Sequence, residues 1–172
     1  MRVFQISNLL ALFTALLFLG ACASVKTTDS AGDADSGSAT IAGVDSVDGV
    51  YVGSDTVKEL ATGVPDRVFF AYDSYSVTTR GLVTLQKQAK WMEANSSFTV
   101  IVQGHCDERG TREYNLALGE RRANSAKDYV VGYGIDPSRI STISYGKERP
   151  VATASSESAW MKNRRAVTVQ VN

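Results

Sequence analysis

Cysteine and histidine are nearly missing from this chain, and no apolar run in it is long. Two cysteines, Cys22 and Cys106, do not read as a disulfide framework, because Cys22 closes an apolar stretch and has its own explanation. One histidine, His105, provides no set for a zinc site, which needs three or four converging ligands. The main apolar run, Leu9 to Leu19, has eleven residues, short of the ~20 that span a bilayer. An excess charge of either sign is also missing, since the formal net charge is zero. That excludes the strong basic stripe of a nucleic-acid binder. The charges are unevenly placed, however. Residues 23–65 carry two basic and seven acidic side chains, and residues 66–172 carry fifteen basic and eleven acidic ones. A mildly basic domain behind an acidic leader suits an anionic polymer or partner surface.

Arg2 is the only charge before Lys26, and Leu9 to Leu19 fits the apolar core of an export signal. It ends in Leu19-Gly20-Ala21-Cys22, which resembles the bacterial lipobox. The resemblance implies a signal peptide over 1–21, acylation of the Cys22 thiol, and Cys22 as the mature N-terminus. One acyl chain binds a membrane only marginally, at ~0.8 kcal/mol per buried methylene, so stable anchoring takes several. Ser24, where inner-membrane lipoproteins of Gram-negative bacteria carry Asp, favours the outer membrane, with the domain facing the periplasm. Residues 22–65 are rich in Ser, Thr, Ala, Gly and Asp and poor in large apolar side chains. That composition predicts a disordered tether, spanning roughly 35 to 40 Å as a flexible coil. Within it, Val47 to Val57 with Tyr51 offers weak pairing to an edge or partner. Asp29, Asp33 and Asp35 read as solvation rather than a metal site.

The remainder, 66–172, reads as one domain with the order β-α-β-α-β-α-β. Arg67 to Ala71 is a short strand, ended by the turn chemistry of Asp73-Ser74. Thr78 or Thr79 caps a helix whose inner face is Leu82, Leu85, Ala89 and Met92. Phe98 to Gln103 is a β-branched inner strand. A second helix carries a thin apolar face of Leu116, Ala123, Ala126 and Val130 and ends at Gly132 and Gly134. Arg139 to Tyr145 alternates as a strand, a short helix spans Ser156 to Lys162, and Ala166 to Val171 is the last strand. Successive β-α-β units favour a sheet with helices packed on it.

The stretch Gly104 to Ala123, GHCDERGTREYNLALGERRA, joins a strand end to a helix entry through a charged loop containing Gly110. Asn115 and Arg122 are seven apart, so their directions on the helix differ by about 20°. Leu118 lies between them on the same side. Arg122 therefore points toward the strand end, where Asp107 follows. Two readings are open at this point. Asp107 and Arg122 form an internal salt bridge, or together they hold a ligand bearing both an ammonium and a carboxylate. His105, Cys106, Asp107 and Glu108 suggest a catalytic cluster on paper, but neighbours on a strand point to opposite faces. A thiol hydrolase requires its Cys and His to meet. Cys106 reads as a small buried residue.

The same stretch resembles the OmpA-like peptidoglycan-binding domain family, as do VFFAYDS at 68–74, ISTISYGKERP at 140–150 and KNRRAV at 162–167. The resemblance implies an α+β fold, with a mixed four-stranded sheet and helices packed on one side. It implies no enzymatic activity, no cofactor and no metal, and non-covalent binding of the peptidoglycan stem peptide through meso-diaminopimelate. By its motif, Asp107 meets the ligand's ammonium and Arg122 its carboxylate. Asp73 borders the pocket, Asn115 braces the loop, and Leu118, Gly110 and Thr111 support it. It further implies partners among the Tol proteins, with the propeller protein TolB contacting Glu108, Arg109 and Thr111. A stator or porin role, which uses similar domains, needs a transmembrane helix or many alternating strands, and this leader offers neither.

Overall fold

The computed structural model describes residues 46–171. The signal segment, Cys22 and the tether as far as residue 45 lie outside the described residues. The four-stranded sheet is built from β5 (Arg67–Phe69), β6 (Thr99–His105), β7 (Ile140–Gly146) and β8 (Arg165–Val171). Its order is β5-β8-β6-β7. Strands β6 and β7 are parallel, and β8 runs antiparallel to both β5 and β6, so the sheet is mixed. The helices are α1 (Thr79–Ala94), α2 (Arg112–Gly132) and α3 (Glu157–Asn163). The α+β order read from the sequence is the observed one.

Each helix starts where a hydroxyl satisfies an orphan N–H. Thr78 accepts from the Gly81 amide at 3.2 Å, Thr111 from Tyr114 at 3.2 Å and Ser156 from Ala159 at 3.4 Å. Strand alternation sends Val68 and Phe70, Val100 and Val102, and Ala166 to one face of the sheet. There they meet Leu85, Ala89 and Met92 of α1 and Ala123, Ala126 and Val130 of α2. Full burial of a side chain such as Leu85 or Met92 contributes roughly 1.5–3 kcal/mol. On α2, Leu118 is buried and Leu116 only half so. Ala123, Ala126 and Val130 of the stripe read from the sequence are buried as expected, and Asn115, Leu118 and Arg122 are buried beside them in place of Leu116.

Helix α2 approaches the sheet closely because two glycines face each other. A Cβ on Gly104 would lie 1.8 Å from the carbonyl oxygen of Gly119, and one on Gly119 would lie 2.3 Å from Ser144 Oγ. Any larger residue at Gly104 pushes α2 away from β6, and Arg122 with it.

Residues 46–65 depart from the tether reading. They form two short hairpins, β1 (Ser46–Val47) with β2 (Val50–Tyr51) and β3 (Glu59–Ala61) with β4 (Val64–Pro65). Val50 and Tyr51 are buried with Phe69 and with Met161 of α3 in a second, smaller cluster. Tyr51 meets Phe69 edge-on, with ring centroids 4.9 Å apart. Phe69 points away from Val68 and Phe70, so this cluster lies on the sheet face opposite α1 and α2.

Candidate functional site

The loop 106–111 between β6 and α2 is held from several sides. The Cys106 amide donates to the Gly146 carbonyl at 2.8 Å. Asn115 Nδ2 donates to the carbonyls of Arg109 (2.7 Å) and Thr111 (3.0 Å), so Asn115 braces the loop. Lys147 Nζ donates to the carbonyls of Glu108 (3.1 Å) and Gly110 (2.7 Å). Gly110 has φ of +89°, which favours glycine.

Arg122 is fully buried. Its Nε donates to the Ser74 carbonyl at 2.8 Å, one terminal nitrogen to His105 at 2.9 Å and the other to Ala71 at 3.2 Å. All three acceptors are neutral carbonyls. Among the described residues no carboxylate forms a salt bridge with it. Asp107 and Asp73 act on it only from a distance, and burial on balance lowers its pKa. The inward direction read from the Asn115–Arg122 spacing is the observed one.

The internal Asp107–Arg122 salt bridge, one of the two readings of the sequence, is not formed. Asp107 pairs with two other arginines. Arg109 reaches Oδ2 at 2.7 Å and Oδ1 at 3.3 Å, and Arg164 reaches Oδ2 at 3.3 Å. The Arg109 amide also donates to Oδ1 at 3.1 Å. Burial pushes the Asp107 carboxyl up, but these hydrogen bonds outweigh it and hold the pKa below the usual value. Sequence reasoning missed Arg164, which is 57 residues from Asp107 and was visible only as part of the KNRRAV match. Arg164 also donates to Glu157 at 3.0 Å and to the Phe70 and Gly49 carbonyls.

Asp107, Arg122 and Asp73 nevertheless line one cleft of about 50 Å³, together with Asn115, Leu118, Gly110 and Cys106. Tyr72, Arg109 and Tyr114 complete it. Asp73 is exposed, has φ of +50°, and accepts a hydrogen bond from the Tyr114 hydroxyl. Glu108 is exposed and accepts from Trp160 Nε1 at 2.9 Å. Thr111 is exposed at the α2 N-cap. Arg109, assigned to the same partner surface by the resemblance, keeps its side chain 30% exposed while pairing with Asp107. Its guanidinium lies between the rings of Tyr72 (4.2 Å) and Trp160 (4.1 Å).

Neighbouring His105 and Cys106 do not form a reactive pair. Burial, reinforced by Arg165, Arg67 and Arg149, lowers the His105 pKa to about 3. Burial pushes the Cys106 thiol up to about 11, and the thiol donates to the Asn115 carbonyl at 3.3 Å. Cys106 lies in the loop past the end of β6, and its protonated thiol is not the thiolate that thiol catalysis needs. Among the described residues no three His, Cys, Asp or Glu side chains are grouped to hold a metal.

Residues 69–164 match the family model described as the OmpA family. The chain is 44% identical over 154 residues to a peptidoglycan-associated lipoprotein of Mesorhizobium japonicum, covering 90% of this chain and 86% of that one. It is 40% identical over 156 residues to the peptidoglycan-associated lipoprotein of Pseudomonas aeruginosa, covering 88% and 92%. Among solved structures, that of the Burkholderia pseudomallei peptidoglycan-associated lipoprotein superposes with a TM-score of 0.61 at 39% identity, covering 62% of this chain and 90% of that one.

Proposed function

This chain belongs to the OmpA family, and from that premise we propose that it is an outer-membrane lipoprotein that grips peptidoglycan without forming or breaking a covalent bond. The ligand is the meso-diaminopimelate of the stem peptide, a zwitterionic amino-acid end. The observation that carries this reading is the Arg122 charge, buried beside a cleft and bonded only to carbonyls. A buried charge without a counter-ion is unfavourable, and a ligand carboxylate relieves it with charge-assisted hydrogen bonds. Asp107, with Asp73 at the rim, takes the ammonium. Asn115, Leu118, Gly110 and Thr111 hold the loop in place.

Acyl chains on Cys22 hold the outer membrane, the domain faces the periplasm and holds the wall, and the intervening segment links them. The protein works with the Tol proteins, and TolB contacts Glu108, Arg109 and Thr111, supporting envelope integrity and cell division. It is a tether and not an enzyme, and it uses no cofactor.

Pull-down on diaminopimelate-type peptidoglycan tests the reading. Asp107→Ala and Arg122→Gln abolish retention, with far-UV circular dichroism checking that both variants stay folded. Retention of both folded variants at the parent level refutes it.

A further inference from the structure

We propose that Arg109 is an internal stand-in for the ligand's cation, and that it leaves Asp107 when the ligand's ammonium arrives. This deepens the assignment of Asp107 to that ammonium and rests on it. The acceptor sites of Asp107 are taken up by Arg109, by the Arg109 amide and by Arg164. Asp107 is 4% exposed, so an incoming cation pairs with it only by displacing a group already there.

The two arginines differ in how readily they move. The Arg164 side chain is 1% exposed and is tied also to Glu157 and two carbonyls. The Arg109 side chain is 30% exposed. It has somewhere to go, because Glu157 Oε2 lies 3.5 Å from its other terminal nitrogen. The rings of Tyr72 and Trp160 continue to favour a guanidinium between them once Asp107 is released. Arg109 also keeps the cleft narrow. About 50 Å³ is room for a few water molecules, and withdrawing a guanidinium from its wall widens it. Arg164 and the backbone amide then keep Asp107 ionised and aimed at the ligand, while Arg109 sets the threshold that a competing cation must pass. A single amine without a carboxylate for Arg122 gains too little to displace it.

Calorimetric titration of the full chain with L-Ala-D-Glu-meso-diaminopimelate tests this. Arg109→Gln binds at least about tenfold more tightly than the parent, as expected when the two charge-assisted hydrogen bonds from the Arg109 side chain no longer have to be broken. Arg109→Lys, which keeps the charge and loses the fork, falls between them. In the parent, the Arg109 Nε–H is protected from exchange and loses protection on saturation with the tripeptide, while Arg164 Nε–H does not change. A purely structural arginine shows no such loss. Equal or weaker binding by a folded Arg109→Gln, or protection retained at saturation, overturns the proposal. If Arg109→Gln does not fold, the exchange measurement on the parent decides. Parent affinity unchanged by Asp107→Asn sinks the ammonium assignment itself, and this proposal with it.

Discussion

Arg164 and Arg122 are both buried to within 1% of full burial, yet the fold treats them in opposite ways. Arg164 is neutralised from inside by Asp107 and Glu157. Arg122 is held only by carbonyl oxygens. The first is a structural cross-link between the loop after β6, the start of α3 and the end of β5. The second is a positive charge set in place by the fold and left for something else to neutralise. Burial without a carboxylate does not make a site by itself. Arg165 is also buried and has no salt bridge among the described residues, and burial lowers its pKa to about 10. It sits on the other sheet face, beside Arg67 and across from His105, and does not line the cleft. Arg122 differs in having both a guanidinium that no carboxylate of the described residues touches and an opening next to it.

The sharpest way to break this comparison is to delete each arginine in turn. Arg164→Met leaves Asp107 and Glu157 short of a partner and costs about 3–5 kcal/mol of stability, read by urea unfolding. Arg122→Met costs less, because removing an unpaired buried charge offsets the lost carbonyl contacts, but it abolishes ligand binding. Equal destabilisation by the two variants would show that Arg122 is a cross-link like Arg164.

The second test uses the far face of β6. His105 has a folded pKa of about 3 against an ordinary value of 6.5, so below 6.5 the unfolded chain takes up a proton that the folded one refuses. Stability falls by up to about 1.4 kcal/mol per pH unit as pH drops from 6.5 toward 3. It is the only histidine in the chain, so His105→Gln removes that part of the slope. An unchanged slope would mean that neither burial nor the positive field of Arg165, Arg67 and Arg149 keeps a proton off this ring.

The smallest effect is expected at the rim. Tyr114→Phe removes the hydrogen bond to Asp73 and weakens tripeptide binding no more than about fivefold, because the contact is exposed and does not touch the ligand. A loss as large as that of Arg122→Met would move the centre of the site to Asp73.

The sequence revealed those parts of the molecule that depend on local rules. Alternation in RISTISY and AVTVQV, the Thr78 cap and the apolar spacing of α1 each describe a segment by itself. The inward direction of Arg122 follows from helical spacing alone. The partner of Asp107 does not, because Arg109 is two residues away, Arg164 is 57 away, and both pair with the one carboxylate that Arg122 also faces across the cleft. Spacing shows where a side chain points, not which of several cations arrives first. The hairpins at 46–65 were hidden for a related reason. Tyr51 and Val50 are stabilised by Phe69 and Met161, and that surface exists only after β5 and α3 have packed. Polar composition therefore read as a disordered tether. The aromatic clamp on Arg109 joins Tyr72 to Trp160 across most of the domain, and no local pattern announces it.

The most direct measurement compares two tripeptides that differ only in the last residue, L-Ala-D-Glu-meso-diaminopimelate and L-Ala-D-Glu-L-Lys. Both carry the side-chain ammonium, and only the first carries the additional carboxylate beside it. Titrated calorimetrically into the full chain, the diaminopimelate peptide should bind at least about a hundredfold more tightly, because the lysine peptide leaves the Arg122 guanidinium unpaired in the cleft. Equal affinity for the two would mean that Arg122 receives nothing from outside and that its buried charge serves the fold alone.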